Sequence, residues 1–205
     1  MKNASFTETM KEYLSLHIRM DTAMLKYFAL VLIVLSACQE APKKNKVSST
    51  LFANGLTLHK TTVVYFLNAE CPICQKYQGS FKSTYQKFSK YYNFQYVFSG
   101  PHSEQAIKDF CAYDSIPYNR IVVDDANNIA HTMRATTTPQ VLIIADKESN
   151  TYLYSGKIDD RFESISSQKP QASINYIEKA LISLQKNEPI EISETIPVGC
   201  FIEPD

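Results

Sequence analysis

Thr61-Thr62-Val63-Val64-Tyr65-Phe66-Leu67-Asn68-Ala69-Glu70-Cys71-Pro72-Ile73-Cys74 is the stretch on which the fold of this chain turns. Residues 61–67 are β-branched, aromatic or aliphatic with almost no polar break, the pattern of a central strand covered on both faces. A Cys-x-x-Cys spacing follows at once. Beyond it, Tyr77, Phe81, Tyr85 and Phe88 recur at intervals of four, four and three, which predicts a helix with one apolar face. Cys71 is thus expected where a strand ends and a helix begins.

That position has chemical consequences. The first turn of a helix leaves backbone N–H groups without partners, and these donors together with the helix dipole stabilise a thiolate, the nucleophile of disulfide exchange. Pro72 suits the first turn because it lacks an N–H that would go unused there, and Ile73 completes the helix N-terminus. Cys74 lies one turn along, within reach of Cys71, and can attack a mixed disulfide to release a partner. Cys71 is therefore assigned as the attacking thiol and Cys74 as the resolving thiol. Glu70 pushes the Cys71 thiol upward while the helix terminus pulls it down, so the direction of electron flow stays open.

Other uses of the pair fit less well. A zinc site takes four ligands, yet the chain has no second Cys-x-x-Cys, and His59, His102 and His131 stand at no ligand spacing. A permanent structural disulfide would close a very short loop. No metal or cofactor is implied.

Outward from this core, Asn54-Gly55 inside Leu51 to Leu58 signals a hairpin. Phe94 to Phe98 reads as a second strand. Ser103 caps a helix running to about Tyr113, with Glu104 in its first turn. Arg120 to Val123 is a brief strand and Ala126 to Arg134 a short helix. Thr136-Thr137-Thr138-Pro139 precedes the apolar strand Val141 to Ala145, which pairs with Thr151 to Tyr154 through a turn at Asp146 to Asn150. Ala172 to Gln185 carries Ile174, Ile177, Ala180, Leu181 and Leu184 on one stripe and closes the domain as a helix. The expected class is α/β, a central mixed sheet flanked by helices.

The N-terminus reads as an address. From Met24 the sequence runs MLKYFALVLIVLSAC: Lys26 is a short positive region, Tyr27 to Leu35 an apolar one, and Ser36-Ala37 lead into Cys38. The apolar run falls short of the ~20 residues that span a bilayer. It resembles a bacterial lipoprotein signal with Leu35-Ser36-Ala37-Cys38 as lipobox. That resemblance implies cleavage before Cys38 and acylation of its sulfur and new amine, several chains together giving a stable anchor. Residues 1–23 read as an extension or a mis-called start, 24–37 as the signal, and 38–50, rich in Lys and polar residues, as a tether. The domain proper spans 51–188 and a tail 189–205. Gln39 is not the aspartate that commonly holds such lipoproteins in the inner membrane, which favours the outer membrane, with the domain facing the periplasm.

Composition suits one globular domain with a core and excludes one large class. The 205 residues are 44% hydrophobic, and 21 Lys+Arg balance 21 Asp+Glu. With net charge zero there is no field to recruit nucleic acid.

The strand leading into Ala69-Glu70-Cys71-Pro72, with Thr138-Pro139 later before another strand, resembles the thioredoxin superfamily. The order of elements, strand, Cys-x-x-Cys, helix, strand, then Thr-Pro, hairpin and helix, is also that of thioredoxin. A narrower likeness is to bacterial redoxin-domain proteins of the peroxiredoxin-like, thiol–disulfide exchange group. It lies in Asp124 to Ala135, in Tyr154-Ser155-Gly156-Lys157-Ile158-Asp159-Asp160-Arg161-Phe162, and in the tail Glu194-Thr195-Ile196-Pro197-Val198-Gly199-Cys200-Phe201-Ile202. The resemblance implies a cis peptide at Thr138-Pro139 packed on the cysteine pair, with the Thr138 backbone binding an extended substrate strand. Partners would then be protein thiols and disulfides. Peroxiredoxins carry Pro and Thr in a PxxxTxxC pattern, whereas Val64 and Asn68 stand here, so peroxidase activity is the second reading. A binding or assembly module that kept the fold is the third.

Some residues stay open at this level. Cys111, beside Phe110 in a helix, reads as a small buried apolar residue. Cys200 resembles the tail cysteine of the family and could pair with Cys111, exchange with Cys74, or sit inert. Asp159-Asp160-Arg161 reads as a solvated turn in preference to a loop that steers a partner, His131 as a surface or core-edge residue, and the 13 tyrosines as core-edge packing.

Overall fold

The computed structural model describes residues 60–145 and 152–203. The Leu51 to Leu58 hairpin, the Asp146 to Asn150 turn, and everything from Met1 through the tether lie outside them.

Strand β1 (Thr62–Leu67) is buried at every position. Its alternate side chains explain why it lacks polar breaks. Val63, Tyr65 and Leu67 join one apolar cluster, and Val64 and Phe66 join another, so both faces are covered. It pairs in parallel with β2 (Asn93–Ser99), Thr62 opposite Asn93 and Leu67 opposite Phe98. On its other side it pairs antiparallel with β5 (Gln140–Ile144). β3 (Ile121–Asp124) adds in parallel to β2, and β6 (Tyr152–Gly156) antiparallel to β5, giving the order β3-β2-β1-β5-β6. The mixed sheet expected from the sequence is therefore present, with β1 in its middle.

The helices sort by cluster. α1 (Pro72–Lys76), α2 (Ser80–Phe88), α3 (Glu104–Asp114) and α5 (Tyr176–Gln185) supply Ile73, Phe81, Phe110 and Leu181 to the first. α4 (Asn128–Thr132), with Met133 just beyond it, covers the second. Burying each such side chain contributes roughly 1.5–3 kcal/mol. Ser103 caps α3, its hydroxyl accepting from Ala106 N at 3.1 Å. Among the described residues no helix is long and apolar enough to cross a membrane.

The single helix expected after the cysteine pair is instead two. Gly79, at φ +87°, breaks it, since a left-handed residue cannot continue a right-handed turn. Asp114, buried at the end of α3, holds the break by accepting from Gly79 N at 2.5 Å and Lys82 N at 3.4 Å. Periodicity survived because Tyr77, Phe81 and Phe88 still reach the core on both sides of the break.

Two small sheets have no counterpart in the sequence reading. β7 (Phe162–Ser164) and β8 (Ser167–Gln168) form a polar hairpin. β4 (Thr137–Thr138) pairs antiparallel with β9 (Cys200–Phe201), which brings the chain's C-terminal tail to the cysteine pair.

Candidate active site

β1 delivers the chain to the site and Asn68 turns it. Asn68 O accepts from Cys71 N at 3.2 Å, and Asn68 Oδ1 from Glu70 N at 2.9 Å. Cys71 is the cap residue of α1, its carbonyl accepting the first helical bond from Gln75 N at 3.0 Å, with Pro72 exposed at the first helical position. Facing this turn is the Thr138-Pro139 peptide, and it is cis. Cys71 Sγ lies 3.2 Å from the Thr138 carbonyl oxygen. A strand ending in a Cys-x-x-Cys helix start, opposed by a cis Thr-Pro on a mixed sheet of this order, completes the pattern. The fold is thioredoxin-like.

Two solved structures share the overall fold of this chain. The chain is similar to an uncharacterized conserved protein from Geobacillus kaustophilus, at 20% identity over 72% of this chain and 79% of that one, with a TM-score of 0.58. It is similar to a hypothetical protein from Sinorhizobium meliloti 1021, at 13% identity over 70% and 79%, with a TM-score of 0.58. A thioredoxin-like protein solved in its oxidized form gives 16% identity over 63% and 80%, at a TM-score of 0.48. No protein-family model and no curated protein matches the sequence.

The thioredoxin-like site departs from the sequence reading at its sulfurs. Cys71 is bonded to Cys200, across 129 residues of sequence and a Cα–Cα distance of 6.1 Å. None of the fates considered for Cys200, pairing with Cys111, exchange with Cys74, or inertness, describes this bond. The β4–β9 pairing, which leaves no trace in the sequence around Cys200, sets it opposite Thr138 and so beside Cys71. In the disulfide the Cys71 sulfur carries no proton, so its approach to the Thr138 carbonyl is a close contact. It becomes a hydrogen bond when Cys71 is a thiol.

Cys74 is a free thiol with no exposed surface, and burial pushes it up to about 12 against the pull of hydrogen bonds at Asn68 and Thr138. Cys71 is itself only 2% exposed, with Cys200 bonded to its sulfur. Cys111 is a free, buried thiol, pushed up to about 12 by burial and then by Asp114, consistent with a small apolar core residue. His131 Nε2 lies 2.7 Å from Glu203 O, on the tail.

Asp159-Asp160-Arg161 is a correction to the solvated turn. Asp159 is buried and accepts from Tyr77 OH at 2.6 Å, Arg161 N at 2.9 Å and Arg161 Nε at 2.8 Å. The Arg161 guanidinium stacks 4.1 Å above the Tyr77 ring and donates to Ser80 Oγ at 3.0 Å. The trio thus clamps the junction between α1 and α2, the segment that carries the cysteines. Asp160 accepts from Ser173 N, Ile174 N and Lys169 Nζ, and backbone donation from Ile174, followed by the Lys169 bond, holds its carboxyl down at about 2. Three charged residues in a row read as solvated; only the aromatic Tyr77, 82 residues upstream, could have signalled a partner.

Proposed function

We propose that this protein is an exported thiol–disulfide oxidoreductase that exchanges disulfides with protein thiols. Cys71 is the attacking thiol and Cys74 the resolving one. The observation that carries the reading is Cys71 engaged in a disulfide at the start of α1, against Thr138, with Cys74 one turn further along the same helix. A partner's thiolate attacks the Cys71 disulfide, or the reduced Cys71 attacks a partner's disulfide. Either way a mixed disulfide forms, and a second thiol displaces one partner from it. The Thr138 backbone supplies the edge on which an extended partner strand is held.

The experiment is reduction of insulin disulfides by the pre-reduced protein. Wild type is expected to turn over, Cys71→Ser to be inactive, and Cys74→Ser to accumulate mixed disulfides because release is impaired. Adducts accumulating on the Cys71→Ser protein would reverse the two roles. Full activity in Cys71→Ser would remove the reading altogether.

The envelope location belongs to the same proposal and rests on the Lys26 to Cys38 sequence. Cys38 is the lipidated mature N-terminus, holding the domain on the periplasmic side of the membrane, with Gln39 favouring the outer one. Mass spectrometry of the membrane-extracted protein is expected to find cleavage before Cys38 with acyl mass added. An intact Ala37-Cys38 bond in the native host would refute it.

A further inference from the structure

The tail strand β9 does more than pass near the site. It lies antiparallel on β4 with Cys200 opposite Thr138 and Phe201 opposite Thr137. Ile202 N donates to Thr136 O at 3.0 Å, and Thr138 Oγ1 donates to Cys200 O at 3.5 Å. Gly199 is required for this approach, because a Cβ there would collide with the Thr138 carbonyl oxygen. The tail is also anchored before it reaches the site. Thr195 N donates to Ser155 O at 2.9 Å, and the Thr195 hydroxyl meets Tyr154 OH at 2.9 Å and Lys157 N at 2.8 Å. The edge on which the proposed activity would hold a partner strand is therefore filled by the protein's own chain, with its own cysteine bonded to the attacking sulfur.

We infer that Cys200 is a third reacting cysteine, and that the tail is an internal substrate strand released when the disulfide passes from Cys71–Cys200 to Cys71–Cys74. The inference rests on the exchange activity proposed above. The step balances within the chain. Cys74 gives its proton to solvent and its thiolate attacks Cys71 Sγ. The Cys74–Cys71 bond forms as the Cys71–Cys200 bond breaks, and Cys200 leaves as a thiolate that takes up a proton. The three sulfurs remain oxidised by two electrons throughout, so no outside oxidant enters.

Geometry assigns the roles. Cys74 lies on α1, whose cap is Cys71, and has no exposed surface, so it is placed to attack the Cys71 sulfur from the core side, where no partner reaches. Cys200 is only half-buried and Phe201 is 82% exposed, so β9 itself is held mainly by the disulfide and a few backbone bonds, with Val198 and Ile202 on either side packing only in part against the core. Once Cys200 is displaced, β9 loses its covalent tie and keeps only the Ile202–Thr136 and Thr138–Cys200 hydrogen bonds and the partial packing of Val198 and Ile202, so the Thr137–Thr138 edge opens to a partner strand that competes for it. The high Cys74 pKa makes the internal step slow at neutral pH and faster in base.

Disulfide mapping of the oxidised full chain tests this without any partner. Samples held at pH 7, 8 and 9, then acid-quenched, alkylated and digested, are expected to contain both Cys71–Cys200 and Cys71–Cys74. Approach to that mixture should quicken about tenfold per pH unit, as the Cys74 thiolate fraction does. A Cys71–Cys200 bond that never isomerises at any pH would overturn the inference and leave the exchange activity standing. In the pre-reduced state, Cys200→Ser is expected to reduce insulin several-fold faster than wild type, since its tail can no longer relatch. Activity as low as that of Cys71→Ser, in a Cys200→Ser protein whose circular dichroism matches wild type, would also overturn it. An inactive wild type with isomerising disulfides would instead refute the activity and spare the internal transfer.

Discussion

Cys74 shows how a single side chain's surroundings set its timing. With no exposed surface and a thiol pushed up to about 12, it is protonated and shielded at neutral pH in the closed form. In a Cys111→Ser background with the Cys71–Cys200 bond intact, iodoacetamide at pH 8 is expected to label Cys74 at least a thousandfold more slowly than an ordinary cysteine of pKa ~8.5. Labelling at the ordinary rate would mean an open site. The same shift has a stability consequence. The folded pKa lies above the unfolded one, so the stabilisation is complete below about pH 8.5 and is lost as pH rises toward 12, where only the unfolded thiol has ionised at first. The cysteine pair itself was legible from its place between an unbroken apolar strand and a helical stripe. Cys200 was not, because nothing in the local pattern around Gly199-Cys200 says which distant strand it will lie on. The sole clue was Gly199, whose lack of a side chain is what the close approach to Thr138 demands.

Elements were easier to read than their interruptions. β1, β2, β5 and α3 follow from periodicity and a cap, since burial on one or both faces leaves a direct trace in the residue pattern. The break at Gly79 leaves only the glycine itself as a trace, because the residues on either side keep their apolar spacing while the backbone turns between them. What holds that break is tertiary: Asp114 on the α2 side and the Asp159–Arg161–Tyr77 group on the α1 side. Arg161→Ala removes the guanidinium from a nearly buried ion pair and leaves Asp159, 5% exposed, with its charge uncompensated. A loss of about 3 kcal/mol is expected in denaturant unfolding. The α1 segment should also loosen, read as faster hydrogen exchange at the backbone amides of Gln75 and Tyr77. A loss below half that size, with unchanged exchange at those amides, would reduce Arg161 to a surface charge.

At the scale of the whole molecule, the Cys71–Cys200 bond ties the C-terminal tail to the end of β1 and encloses most of the described chain, 129 residues in sequence. Closing so long a loop removes much of the freedom of the unfolded chain, and the chain-entropy model assigns about 5 kcal/mol to a loop of this length, with measured bonds often delivering less. The tail's other ties are hydrogen bonds at Ser155, Thr136 and the Thr195 hydroxyl and the partial packing of Val198 and Ile202 on the core, which alone would leave it prone to local opening. Reductant is therefore expected to lower the thermal midpoint of the full chain by several degrees, given that each kcal/mol moves a protein of this size by roughly 2–4 °C. The shift should vanish in Cys200→Ser, whose midpoint without reductant should already match that of the reduced wild type. Isomerisation to Cys71–Cys74 encloses only a helical turn and gives up nearly all of that entropy, so oxidised protein equilibrated at pH 9 should melt between the two limits. A midpoint indifferent to reductant in wild type would show that the tail is held on β4 by its backbone bonds and packing, with the disulfide contributing nothing to its docking.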